Sequence, residues 1–171
     1  MSIDPLHQCQ APDNLFMALR AFYDSQFEYE DERVPGYIEN QLTIPSQVLR
    51  LPKALRCEVH ATLLPIVESW SHRALELIYV YGIRRYLRGT TLKMHHDPKG
   101  RVYSVSLIVA QQVEVPWPLV FDVAPSDYRE VLLQSGEMVL FEGERLLHGR
   151  PKPLRGDFYA AVFAHFCPLS H

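Results

Sequence analysis

The chain has 171 residues, 47% hydrophobic and 22% charged, with a formal charge of −3 at pH 7, an ordinary globular composition long enough to bury a core. That balance provides no basic field for nucleic acid, and the apolar runs are too short to cross a bilayer as a helix. Cys9, Cys57 and Cys167 have no metal-like spacing and read as free thiols in a reducing compartment. With no signal-peptide pattern in "MSIDPLHQCQ", a cytoplasmic location is expected.

Helical spacing dominates before residue 75. Leu15, Leu19 and Phe22 share a face after the cap-like "PDN", and Leu55, Val59, Leu63, Ile66 and Trp70 form a second stripe after Pro52. Pro65 should kink that second helix or end it early. Between the two, "VPGYIENQLTIPSQ" (34–47) reads as an irregular connection.

After residue 75 the texture changes to short β-rich runs near 76–86, 91–97, 102–110, 118–123, 129–133, 137–142, 146–149 and 157–166. Gly89, Pro98-Lys99-Gly100, Pro125-Ser126-Asp127 and Ser135-Gly136 punctuate them. This predicts one α+β domain over 1–171. Residues 76–167 would form a jelly-roll or cupin-like double-stranded β-helix core, and 1–75 a helical support packed on one sheet.

The chemistry gathers in "TLKMHHDPKG" (91–100). On a strand, residues i and i+2 face the same way, so His95 and Asp97 share a face while His96 points to the other. His148 lies on a later strand that a jelly roll can bring alongside. Two histidines and one carboxylate on one face of an octahedral ion are the donor set of non-haem Fe(II) oxygenases. A His-x-Asp tripeptide alone is a weak signal. The β-rich context, the downstream histidine and the Gly-acid-apolar turn before it strengthen the reading.

Three segments resemble the catalytic domain of the Fe(II)/2-oxoglutarate-dependent dioxygenases, most closely the prolyl 4-hydroxylase-like branch. They are "YGIRRYLRGTTLKMHHD" (81–97), "GEMVLF" (136–141) and "LLHGRPKPLRGDFY" (146–159). The resemblance spans about residues 79–166 in motif order. It implies His95, Asp97 and His148 as iron ligands and Tyr86 beside the co-substrate pocket. It also implies Fe(II), 2-oxoglutarate and O2, with ascorbate as a further reductant. The substrate would be a peptidyl prolyl side chain or a small molecule, hydroxylated without involvement of nucleic acid or membrane; the oligomeric state stays open.

The sequence departs from the family at two positions. Phe158 stands where the family has a basic residue about ten positions after the distal histidine, and Leu92 replaces a helpful tyrosine. A buried carboxylate needs a cationic partner, and an arginine fork suits it best. Arg150, on the His148 face, is the first candidate, Arg84, on the Tyr86 face, the second, and Arg155 and Lys93 follow. Two other readings are an iron-dependent oxidase using a different co-substrate, and a cupin-like metal or small-molecule binding module without turnover. Trp117 in "VPWPL" either borders a substrate entrance or packs in the core. Ser104 and Ser106 could line the cavity, and His165 reads as packed or hydrogen-bonded.

Overall fold

A computed structural model describes residues 4–32, 41–125 and 127–169. In chain order the elements are β1 (Leu6–Gln10), α1 (Asp13–Asp24), β2 (Glu30–Asp31), β3 (Gln47–Leu49), α2 (Lys53–Ser71), β4 (Leu75–Leu87), β5 (Leu92–His95), β6 (Tyr103–Val113), β7 (Leu119–Ala124), β8 (Asp127–Val131), β9 (Glu137–Phe141), β10 (Leu147–Arg150) and β11 (Gly156–Pro168). The strands form a seven-stranded sheet, β1-β9-β6-β11-β4-β3-β2, and a four-stranded sheet, β5-β10-β7-β8. All of these pairings are antiparallel.

The large sheet is buried on both faces, which is why its central strands lack a polar face. On β9, Met138 and Leu140 join the layer beneath the helices, while the alternating Val139 and Phe141 enter the layer between the sheets. Leu15 and Leu19 of α1 and Val59, Leu63 and Val67 of α2 close the first layer. Tyr86, Ile108, Phe121 and Ala161 belong to the second. Fully burying each large aliphatic side chain contributes about 1.5–3 kcal/mol. The result is a mostly β, jelly-roll-like sandwich with two helices on one sheet.

The structure differs from the sequence reading in four places. Pro65 neither ends nor divides α2, which runs on to Ser71. Pro65 and Ala61, whose carbonyl loses its partner, both lie on the exposed side, so water can satisfy that carbonyl while the buried stripe holds the helix down. The short β1, β2 and β3 carry too few apolar residues to register as strands by pattern, and form by pairing with β9, β3 and β4. The strand expected over 91–97 stops at His95. Part of the irregular connection expected over 34–47 lies outside the described residues, and its end is β3. Among the described residues, no helix is long and apolar enough to cross a membrane.

Because Pro65 sits in a helix interior at a solvent-facing position, Pro65→Ala should restore a backbone hydrogen bond without disturbing the core. We expect a gain of about 1–3 kcal/mol in unfolding free energy. It would be read as a higher urea midpoint at unchanged slope.

Candidate metal centre

His95 ends β5 directly opposite His148 of β10 in the antiparallel register, and their ring centroids lie 4.5 Å apart. Phe121 of β7 flanks His148 on its other side, stacked at 5.8 Å, and Phe141 meets it edge-on at 4.8 Å. Asp97 is brought in differently. It lies beyond the strand, where its backbone N–H donates to the Gly143 carbonyl at 2.9 Å. Gly143 is required there by close approach, since a Cβ would fall 2.0 Å from Asp97 Oδ2. One donor atom from each of His95, Asp97 and His148 falls within 4.8 Å of the others. His96 is exposed.

Both histidines are oriented by the backbone. The Nδ1 of His95 is 2.7 Å from the Lys93 carbonyl, and that of His148 is 2.8 Å from the Leu146 carbonyl. A carbonyl only accepts, so each Nδ1 carries the proton and each Nε2 keeps its lone pair. His148 Nε2 points at Asp97 Oδ1, 3.7 Å away. Such carbonyl-tethered imidazoles, with Nε2 turned to a common point, are what a metal site needs.

Asp97 is held by its far oxygen. Ser104 donates its hydroxyl hydrogen to Oδ2 at 2.5 Å, and Ser104 Oγ lies 2.9 Å from His165 Nδ1. Since the serine hydrogen is already committed, His165 is the donor in the second bond. The chain therefore runs from His165 through Ser104 to Asp97 and leaves Oδ1 turned to the histidines. Burial pushes the carboxyl pKa up, but the adjoining His148 and His165 rings and the Ser104 hydroxyl outweigh it. Asp97 thus stays ionised well below the usual carboxylate range. Burial pushes His95 down to about 4, with His148 adding to the effect. Burial also brings His165 down to about 4, against the opposing pull of Asp97.

These groups open onto a cavity of about 250 Å³, which is also lined by Tyr86, Leu92, Ser106 and Arg150. Arg150 is only 3% exposed. Its guanidinium sits between the rings of Trp117 and Tyr159, 4.6 and 4.4 Å from their centroids, and donates to the Trp117 carbonyl. Among the described residues it has no carboxylate partner. Among the described residues, Ser106 Oγ in the cavity wall makes no hydrogen bond, and the buried Tyr159 hydroxyl lies against Arg150. Arg84 also reaches the cavity, but both arms of its fork are taken by Glu32, at 2.7 Å each. Arg155 and Lys93 are exposed.

Phe158 faces away from this cavity. Its ring packs against Tyr23 of α1 and under the Arg85 guanidinium, 4.5 Å from the centroid. A basic side chain at that position would point at the helices, so Phe158 removes nothing from the pocket. Trp117 is buried, its indole N–H donating to the Lys152 carbonyl at 2.7 Å. Sequence reasoning missed Gly143 and Glu32, and gave Ser104 no link to Asp97. No local pattern flags them, because each acts across seven or more residues of chain.

No protein-family model and no curated protein sequence matches the chain. Solved structures do. A Pseudomonas putida prolyl-4-hydroxylase superimposes with a TM-score of 0.69 at 16% identity, over 97% of this chain and 94% of that one. An oxidoreductase of the 2OG-Fe(II) oxygenase family from Burkholderia pseudomallei gives 0.74 at 12%, over 95% and 85%. HygX from Streptomyces hygroscopicus, with nickel and 2-oxoglutarate bound, gives 0.68 at 12%, over 96% and 83%. The chain has the fold these proteins share.

His95, half-buried, and His165, buried, have folded pKa values near 4, below the 6.5 of a free imidazole. The unfolded chain therefore holds more protons between those values, and the stability is complete above pH 6.5 and lost as pH falls toward 4. Thermal melting of the metal-free protein should show a midpoint declining through this window. His165→Gln should flatten the decline.

Proposed function

We propose that this protein is a non-haem Fe(II)- and 2-oxoglutarate-dependent oxygenase that hydroxylates a peptidyl, prolyl or small-molecule substrate. The observation that carries the proposal is the convergence of His95, Asp97 and His148, which bring one donor atom each within 4.8 Å of the others, both imidazoles tethered by Nδ1 and the carboxylate by its far oxygen. Two imidazoles and a carboxylate from one side leave the other side of an octahedral ion for ligands, the donor chemistry suited to Fe(II). The neighbours in fold support the same reading, one of them solved with nickel and 2-oxoglutarate. In this reading the sandwich is a double-stranded β-helix, with 76–167 as the catalytic core and 1–75 as its support within one domain.

Iron(II) bound here with 2-oxoglutarate and O2 supplies an oxidant that hydroxylates an unactivated C–H bond while the co-substrate becomes succinate and CO2. The chain's own residues have four tasks. Ser104 and His165 fix Asp97 so that it offers one oxygen. The Lys93 and Leu146 carbonyls fix the tautomers of His95 and His148. Arg150 meets the distal carboxylate of 2-oxoglutarate, with Ser106 as a hydroxyl donor, so the cation comes from β10 and not from position 158. Phe121, Phe141 and Leu119 exclude water from the centre. Tyr86 shapes the wall by packing edge-on against Trp117 at 5.2 Å, while Arg84 is a structural cation neutralised by Glu32.

Anaerobic titration with Fe(II), then 2-oxoglutarate, then air with succinate assayed, tests the whole reading. His148→Ala and Asp97→Asn should abolish succinate release, and release that survives His148→Ala would overturn the ligand assignment. Arg150→Met should leave Fe(II) binding intact while weakening 2-oxoglutarate roughly 100-fold, from the loss of a buried charge-assisted pair worth about 2–5 kcal/mol. An unchanged 2-oxoglutarate affinity would return the assignment to a different co-substrate. Gly143→Ala should displace the Asp97 carboxylate, weakening Fe(II) at least tenfold with the fold retained, as followed by metal competition and circular dichroism.

A further inference from the structure

β4 is thirteen residues long, and β11 runs beside it from Leu87 to Leu75. Its other edge is covered far less. β3 supplies three partners, Gln47–Leu49 opposite Arg85–Ile83, and below Ile83 no strand among the described residues pairs with that edge. Gly82 marks the parting, where a Cβ would lie 2.2 Å from the Leu49 carbonyl oxygen. Natural sheets usually blunt such an edge with charge, proline or a cover. Here the segment reads LELIYVYG, with Glu76 as its one charge and no proline, and Ile78 and Tyr79 are each 44% exposed.

A groove runs along this edge. One hollow of about 530 Å³ lies between Tyr79–Gly82 and the Arg50 and Arg56 side, and another of about 290 Å³ continues past Lys53 and His60. The two share Arg56, Tyr79 and Val80, and the first shares Tyr79 and Tyr81 with the cavity of the metal centre. One bank is thus the edge of β4 and the other is the start of α2, and at Tyr79 and Tyr81 the groove adjoins the cavity that His95, Asp97 and His148 line. Six residues, Leu77–Gly82, extend roughly 20 Å at about 3.3 Å per residue, the length of an ordinary strand.

The α2 bank is basic in a chain of net charge −3. Lys53 and Arg56 make no ion pair among the described residues, and Arg50 has one exposed partner, Glu30, at 3.0 Å. Tyr79 and Tyr81, with ring centroids 5.6 Å apart, form an aromatic lip where the groove meets the cavity, and the Arg84 guanidinium lies 5.1 Å from the Tyr81 ring. Unpaired backbone on one bank selects a partner that has backbone amides of its own. Cations on the other select acidic side chains, which a strand presents at every second position.

We propose that an extended acidic peptide segment docks in this groove as an added strand on β4, with Lys53 and Arg56 reading its carboxylates, and that this directs one end of the segment to the metal centre. The docking deepens the oxygenase reading by naming the substrate as an acidic peptide, and rests on that reading only for what happens at the metal.

The probe is a fluorescein-labelled nonapeptide alternating glutamate with valine, titrated with the full chain and followed by anisotropy. Saturable binding is expected. A lysine-for-glutamate counterpart, and one N-methylated at alternate backbone amides, should each bind at least tenfold more weakly. Lys53→Glu combined with Arg56→Glu should weaken the acidic peptide at least tenfold and improve the lysine peptide. Hydrogen exchange of 77–82 should slow when the acidic peptide is bound. Equal affinity for the three peptides, or no binding at millimolar protein, overturns the proposal. So does an oligothymidylate binding more tightly than the peptide, or a self-association that protects 77–82 without it. Docking retained in His148→Ala would stand even if the metal reading fell, whereas Fe(II) binding retained without docking would sink this inference alone.

Discussion

A single buried carboxylate sets the terms for the rest of the site. Asp97 is almost fully enclosed, and an ion in that position is tolerated only with partners on every side. The structure supplies them from separate parts of the fold: a carbonyl from the turn after β9 on its backbone, a serine of β6 on one oxygen, and a histidine of β10 near the other. Since β9 and β6 belong to the large sheet and β10 to the small one, satisfying Asp97 amounts to fastening the two sheets together at one end of the sandwich. Site and fold are therefore hard to separate here. The His165–Ser104–Asp97 chain is as much an interior truss as a means of aiming an oxygen.

The contrast with Arg84 is informative. Two buried arginines reach the same cavity, and sequence position made them near-equivalent candidates for the same task. They differ in what they already hold. Arg84 is paired in both directions with Glu32, which also accepts the Ser46 hydroxyl at 2.5 Å. Arg150 has aromatic faces and one carbonyl, which orient its fork without neutralising it. Aromatic rings are well suited to this, since they attract a cation through their faces while leaving its in-plane N–H groups for a ligand.

How far the sequence could be read follows from how local each feature is. The strands after residue 75 were legible because alternation and turn residues are short-range signals, and α2 because its stripe recurs every three or four residues. His95 and His148 could be paired on paper because a jelly roll brings such strands together. For Asp97 to share the His95 face by alternation, the strand would have to reach residue 97, and β5 ends at His95. Asp97 arrives instead through a hydrogen bond to a glycine 46 positions away, which no alternation rule encodes. Position 158 shows the same limit from the other side. The ladder between β11 and β6 shifts register between Gly156 and Phe158, and counting from His148 cannot see such a bulge. The three short strands β1, β2 and β3 owe their existence to partners rather than to their own composition.

The Arg84–Glu32 pair has one more consequence, an electrical one. Among the described residues, the buried cations Arg84 and Arg150 balance the buried carboxylates Glu32 and Asp97, so the fully buried charges around the cavity sum to zero. A divalent cation entering alone would unbalance it by two charges, and a dicarboxylate alone would do so in the opposite sense. Arriving together, they cancel. In a region of low polarisability this favours joint occupancy over either guest singly, and the preference is mutual: whatever the acid gains from the metal, the metal gains from the acid. Had Glu32 been a neutral residue, Arg84 would have tipped the cavity toward the acid alone and loosened that reciprocity.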